Sequence, residues 1–248
     1  MPRIGTRKLY HMLGTVLEEH QIRIGRDKLF DLLEDHGLLV RRRKRRKVST
    51  TDSNHPFMRY PNLTKGMSVL GPNQLWVSDI TYIRLTDGFC YLSLITDAYS
   101  RKIVGYCLYP TLQKEGPITA LQQALNDTGT SMQMLMHHSD RGRQYCCDAY
   151  VSILSNSEIV ISMTEKGDPY ENALAERVNG ILKDEFMLDK TFLSYEQALA
   201  TVNNAITTYN TDRPHSSCNY QAPDLTHQQY GPQLMKWKKR EKKKPIIA

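Results

Sequence analysis

The chain has 248 residues, 40% of them hydrophobic, enough for one packed domain of ordinary size with a smaller companion. Its net charge of +7 is unevenly spread, with +7 over residues 1–50, +6 over Lys236 to Lys244 and −6 in the remainder. No apolar stretch approaches the ~20 residues of a membrane helix, and five scattered cysteines form neither a disulfide framework nor a metal-ligand spacing. A membrane protein, a secreted disulfide scaffold and a zinc module are thereby excluded, and a cytoplasmic location is expected. Clustered Lys and Arg attract nucleic-acid phosphates through counterion release, while an acidic middle suits a site that collects cations.

Residues 1–47 read as a helix-turn-helix-like module. Leu9, Leu13, Val16 and Leu17 recur at helical spacing, Gly25 interrupts, and Leu29, Leu32 and Leu33 form a second stripe that ends at Gly37. The run Arg41, Arg42, Arg43, Lys44, Arg45, Arg46 and Lys47 follows and is a candidate DNA contact. Residues 48–73 have no sustained periodicity and are expected to be a linker.

From residue 74 the pattern changes to strands. Trp76 to Leu85 and Phe89 to Thr96 flank a Thr86-Asp87-Gly88 turn, and Ile103 to Tyr109 makes a third strand. A helix over Pro117 to Leu125, a strand over Met132 to Met136, a helix over Ala149 to Leu154 and a strand over Val160 to Met163 come next. Further helices span Ala173 to Phe186 and Tyr195 to Tyr209, the latter opened by Ser194 with Gln197 as a capping box. Three meandering strands followed by alternating helices and strands predict an α/β fold, a mixed five-stranded sheet with helices on its faces. The core is placed at 74–190, a carboxy-terminal helix and tail at 191–230, and a basic, disordered tail at 231–248.

Three carboxylates fall at informative places on this outline. Asp79 lies in the first strand, Asp140 just past the fourth, and Glu176 on the first turns of a helix. If the first and fourth strands are neighbours, the two aspartates face each other across about 4.8 Å. Such a trio would repel itself unless cations neutralised it, and hard oxygen ligands suit Mg²⁺ or Mn²⁺. For an arbitrary acidic trio, solvated surface charge is the ordinary reading.

The words around these residues alter that balance. Asp140 and Glu176 are separated by 35 residues, and Lys183 follows Glu176 by seven, two turns along one helix face. Trp76-Val77-Ser78-Asp79, Thr96 to Arg101, His138-Ser139-Asp140-Arg141-Gly142 to Tyr145, and Lys166 to Glu176 are joined by Tyr209-Asn210, Arg213-Pro214-His215 and Pro223. This set resembles the catalytic subunit of the insertion-sequence three family of transposases, within the D,D(35)E superfamily of retroviral integrases, over about residues 3 to 226.

The resemblance implies an RNase H-like core in which Asp79, Asp140 and Glu176 are catalytic and hold two Mg²⁺ or Mn²⁺ ions. It implies strand cleavage and strand transfer at insertion-sequence ends, with Lys183 contacting phosphate near the cut; Arg141 and Tyr145, beside the site, are further candidate DNA contacts, Tyr145 through base or sugar stacking or else as a packing residue. Partners would be the double-stranded DNA of transposon ends and target, further copies of the chain in a homo-oligomer, and an upstream-frame protein; the setting would be a bacterial nucleoid. The histidine-cysteine zinc module of retroviral integrases is absent, since no Cys precedes Cys90. The alternatives are an inactive or domesticated integrase-fold DNA-binding protein and an RNase H-type nuclease. Intact carboxylates argue against the first, and the basic module and the Tyr209 to Pro223 words against the second.

Overall fold

The structure is a computed structural model that describes residues 1–40, 55–128, 134–165 and 172–233. The basic run 41–47, Tyr170 and the Lys236 to Lys244 tail lie outside these residues.

Strands β1 (Leu75–Leu85), β2 (Gly88–Asp97) and β3 (Ile103–Tyr109) form an antiparallel meander. Leu85 pairs with Gly88 across the two-residue turn, and Gly88 takes φ 146, a backbone conformation that residues with a Cβ rarely adopt. Strand β4 (Met136–Ser139) adds to β1 in parallel and β5 (Val160–Met163) adds to β4, giving the order β3-β2-β1-β4-β5. A sixth strand, β6 (Thr191–Phe192), pairs with the far end of β1. Two residues are too few for a period-two pattern, so the five strands legible in the sequence become six.

The fourth strand begins where the sequence places its end. The apolar residue Leu135 precedes it, and His137, His138 and Ser139 form most of the strand itself while being buried. Polar partners make that burial tolerable: His137 meets Ser78 and Tyr150, and His138 meets Ser162.

Helices cover both faces, which is why β1 is buried along most of its length. Helices α4 (Glu115–Thr128), α5 (Arg143–Cys146) and α6 (Asp148–Asn156) lie on one side, where Trp76, Ile95, Leu121, Tyr150 and Leu154 pack together. Gly105 lets β3 approach α4, because a Cβ there would stand 2.2 Å from the Ala120 carbonyl oxygen. Helices α7 (Ala173–Glu185) and α8 (Tyr195–Thr211) cover the other side through Val178, Leu182, Val202 and Ile206 against Ile83 and Leu92. Ser194 caps α8 by accepting from the Gln197 amide N–H, while the Gln197 side chain accepts from Leu193 N–H.

The amino-terminal stripe is broken into α1 (Thr6–Met12) and α2 (Gly14–Glu19), followed by α3 (Arg26–Asp35). Only Leu29 of these helices is buried, and Met12, Val16, Phe30 and Leu32 are exposed. Residues 55–73, read as part of a linker, instead pack on the core. Leu63 N–H donates to Ser162 Oγ at 2.9 Å, Met163 N–H donates to the Pro61 carbonyl, and Phe57 and Tyr60 join the α4–α6 side of the core. The chain closes through α9 (Pro223–Thr226), after which the Gly231 carbonyl accepts from Tyr99 Oη.

Candidate active site

The parallel pairing of β1 with β4 builds the centre of the site. Leu75, Trp76 and Val77 stand opposite Met136, His137 and His138. Continuing that register by two residues sets Asp79 opposite Asp140, and in a parallel ladder opposed residues point to one face. The juxtaposition registers electrostatically. Burial, the largest cause, and then the Asp140 charge push the Asp79 carboxyl up to about 7, with a smaller push from Glu176.

Each aspartate is held by a donor. Asn179 Nδ2 donates to Asp79 Oδ2 at 2.7 Å, and Gly142 N–H donates to Asp140 Oδ1 at 2.9 Å. A Cβ at Gly142 would stand 2.9 Å from that carboxylate oxygen, so a larger residue there would push the Asp140 carboxylate from this position. Helix α7 is stitched to β1 at a second point, where Asn172 Nδ2 donates to the Ser78 carbonyl at 3.0 Å. These two asparagines flank Asp79; Asn172 stands within the Lys166 to Glu176 word, whereas nothing in the sequence analysis marks Asn179. Asn179 lies three residues after Glu176, on the same helix face, and that spacing was the available signal.

Glu176 is exposed on the first turn of α7. The three carboxylates do not form a closed cluster: among the described residues no group of three His, Cys, Asp or Glu side chains is close enough to hold a metal ion. Asp79 and Asp140 nonetheless fit a divalent cation, being two hard oxygen donors on one face whose mutual repulsion a cation would relieve.

Lys183 places its Nζ 3.9 Å from the centroid of the Tyr82 ring, three residues along β1 from Asp79. Arg141 is half-buried; its carbonyl accepts from His55 Nε2 at 2.8 Å, and its Nε is buried without a hydrogen-bond partner among the described residues. Of the two readings open for Tyr145, a DNA contact and a packing residue, its surroundings match packing. It is 2% exposed, lies edge-on to Tyr150 at 5.4 Å and tilts against His137 at 6.3 Å, because α5 turns it into the core.

His137 projects from the opposite face of β4 to Asp140 and contacts Ser78 Oγ at 2.7 Å and Tyr150 Oη at 2.9 Å. Burial, then the neighbouring His138, pushes its pKa down to about 3, so it is a neutral core residue. Asp97 is fully buried and accepts from Ser100 N–H, Ser100 Oγ and Asn73 N–H, which makes it the organiser of the β2–β3 turn.

Comparisons with known proteins agree with this geometry. Two models of the integrase core domain match, over residues 70–169 and 157–223. The chain is 36% identical over 231 residues to the insertion element IS600 uncharacterized 31 kDa protein of Shigella sonnei, covering 92% of this chain and 84% of that protein. It is 29% identical to the transposase for insertion sequence element IS904 of Lactococcus lactis, covering 87% and 91%. It is also 37% identical to the transposase InsF for insertion sequence IS3A of Escherichia coli, covering 62% and 54%. Among solved structures, the HTLV-2 integrase catalytic core domain in complex with magnesium superposes with a TM-score of 0.51 at 19% identity, covering 64% of this chain and 99% of that one. The simian T-cell lymphotropic virus intasome in complex with a PP2A regulatory subunit superposes with a TM-score of 0.55 at 18% identity, covering 98% and 80%. The six-stranded mixed sheet with helices on both faces is therefore the RNase H-like integrase core, and the chain belongs to the IS3 family of DDE transposases, acting on DNA as a polynucleotidyl transferase.

Proposed function

We propose that Asp79, Asp140 and Glu176 are the catalytic carboxylates and that they hold divalent metal, Mg²⁺ or Mn²⁺, with two ions in the working site. The observation that carries this reading is the register that brings Asp79 opposite Asp140, with α7 bonded to the first of them through Asn179. The magnesium complex named for the HTLV-2 core supports the choice of ion. Bound metal would lower the barrier by activating an attacking hydroxyl and neutralising the leaving oxygen.

The protein's own residues set the geometry for that chemistry. Asn179 fixes the rotation of the Asp79 carboxylate, and Gly142 N–H fixes that of Asp140, so both groups are oriented before substrate arrives. Glu176, on the exposed first turn of α7, completes the set from the helix side. Lys183 and Arg141 are the cations at the rim that would contact DNA phosphates, and the run Arg41 to Lys47 would add sequence-independent affinity. Assembly on DNA as a homo-oligomer, with an upstream-frame protein as a further partner, belongs to the same proposal; the intasome named for the simian protein supports the oligomer.

A strand-transfer assay with a pre-cleaved insertion-sequence end, target duplex and Mg²⁺ tests this function. Joined product is expected with wild-type protein and none with Glu176→Gln. Normal joining by Glu176→Gln would remove that residue from the site.

A further inference from the structure

The helix that carries Glu176 ends in a buried ionic joint. Glu185, the last residue of α7, accepts from Arg213 Nε at 2.8 Å and Arg213 Nη2 at 2.9 Å, and it pairs with Lys8 of α1. Arg213 is 1% exposed, with its guanidinium 5.5 Å from the centroid of the Tyr209 ring. Arg3 adds to the same place: its backbone N–H donates to the Glu185 carbonyl at 3.1 Å and its side chain pairs with Asp189 at 3.4 Å. The amino-terminal module, the Glu176 helix and the segment after α8 thus meet at one carboxylate.

A buried ion pair is a poor source of net stability, because desolvation of both charges cancels much of their attraction. What a two-pronged guanidinium supplies is orientation, since both of its bonds must be satisfied together. Burial raises the Glu185 carboxyl, but Arg213 and then Lys8 outweigh it and leave the group below the ordinary carboxylate range, so it is charged. Glu176 lies nine positions before Glu185, about 13.5 Å along the helix axis. Any tilt of α7 about its carboxy-terminal end is therefore transmitted to Glu176, and a misplacement of about 1 Å at a reacting centre is costly.

We infer that Arg213, acting through Glu185, is a positioning residue for Glu176, and that Lys8 ties the amino-terminal module into the same joint. This rests on Glu176 being a metal ligand. It differs from a merely structural role in one respect: it links an ion pair at the far end of α7 to metal affinity, independently of how stable the protein is.

The test compares Mn²⁺ binding, read from the electron paramagnetic resonance signal of the free ion, with melting temperature in full-length protein. Arg213→Lys keeps the charge and loses the fork; Mn²⁺ affinity is expected to fall roughly tenfold, as when a group that orients a metal ligand is removed. Leu154→Ala, in the core on the opposite face of the sheet, is expected to lower the melting temperature and leave Mn²⁺ affinity unchanged. If Arg213→Lys gives no cooperative melt, Glu185→Gln, which keeps the side-chain volume, is measured in its place. Mn²⁺ affinity equal to wild type in the folded joint variant, or reduced only as far as in Leu154→Ala, overturns the inference. Glu176→Gln separates the two levels: wild-type Mn²⁺ binding by that variant removes Glu176 from the metal site, whereas loss there with none in the joint variant sinks only the positioning role.

Discussion

Asn179 Nδ2 and Asp79 Oδ2 stand 2.7 Å apart, so the helix that carries Glu176 grips the carboxylate that stands opposite Asp140. The bond serves two ends. It offsets part of the charge burden on Asp79, and it leaves that carboxylate one rotational setting. Asn179→Ala is expected to slow strand transfer by about 10- to 100-fold, the range for groups that orient metal ligands. Affinity for end DNA should change less than about twofold, since the residue is 6% exposed and offers no surface to DNA. Turnover at saturating DNA and a binding isotherm on the same duplex check this, and a parallel loss in both would show that Asn179 acts through DNA.

The raised carboxyl of Asp79 predicts opposite effects of one substitution on stability and activity. At pH 8 without metal, Asp79 is ionised in a buried place beside Asp140, which disfavours the folded state. Asp79→Asn removes that charge at nearly constant volume, so the metal-free protein should melt several degrees higher, at about 2 to 4 °C per kcal/mol for a chain of this size. The same variant should give no strand transfer. A lower melting temperature at pH 8 would mean that the charge is not a burden on the fold.

The pH dependence follows from the same group. In the unfolded chain Asp79 titrates near 4, and in the folded, metal-free protein at about 7. The folded state therefore holds the proton more tightly. The stability this contributes is fully present below about pH 4 and is lost as pH rises through 7. Metal binding runs the other way, because a ligand must release its proton. Apparent Mn²⁺ affinity should rise about tenfold per pH unit up to pH 7 and level off above it. Calorimetric titrations in two buffers of different ionisation enthalpy should detect close to one proton released per site at pH 6. Affinity that is flat from pH 5 to 8 would refute the assignment.

The elements that carry the three carboxylates are legible in the sequence because strand and helix patterning is local, whereas their grouping comes from the words around them and the 35-residue spacing. Asp79 sits in a strand of β-branched and aromatic residues, and Glu176 sits at a helix start, so both could be placed without knowing the sheet order. The strand order was open, and the adjacency of β1 and β4 is what turns two acidic residues into a pair. Polarity misled where burial is satisfied by hydrogen bonds. His137, His138 and Ser139 form a strand that hydrophobic patterning assigns to the residues before it. Tyr145 stands in a run that resembles a loop, and only the turn made by α5 shows that its ring belongs to the core. Residues 55–73 lack periodicity because they pack on the core without regular structure, Pro61 and Leu63 against β5, and an irregular backbone leaves no repeating trace. Arg213 and Glu185 are 28 positions apart and pair through tertiary structure alone, a relation that spacing does not encode.

Lys183 offers the sharpest test of the DNA contacts proposed at the rim of the site. Its Nζ lies 3.9 Å from the Tyr82 ring centroid, on the strand that carries Asp79 and on the helix that carries Glu176. An ammonium resting on an aromatic face keeps its charge while its stem is held, so less conformational freedom remains to be lost when a phosphate arrives. Two removals should therefore differ. Lys183→Ala deletes the charge and should reduce strand transfer on specific ends more than it reduces affinity for random duplex. Tyr82→Leu keeps the charge and removes the aromatic face beneath it, so it should cost about 0.5 to 1 kcal/mol, a rate loss of roughly two- to fivefold, the size of an exposed cation–π contact. Both variants should retain the salt dependence of general DNA binding to within one phosphate, about 0.9 in the logarithmic slope. The measurements are turnover at saturating end DNA and a salt titration on random duplex. If Lys183→Ala lowers both affinities equally and leaves saturated turnover intact, the residue is a general phosphate contact, and the charge that positions the reacting strand has to be sought at Arg141.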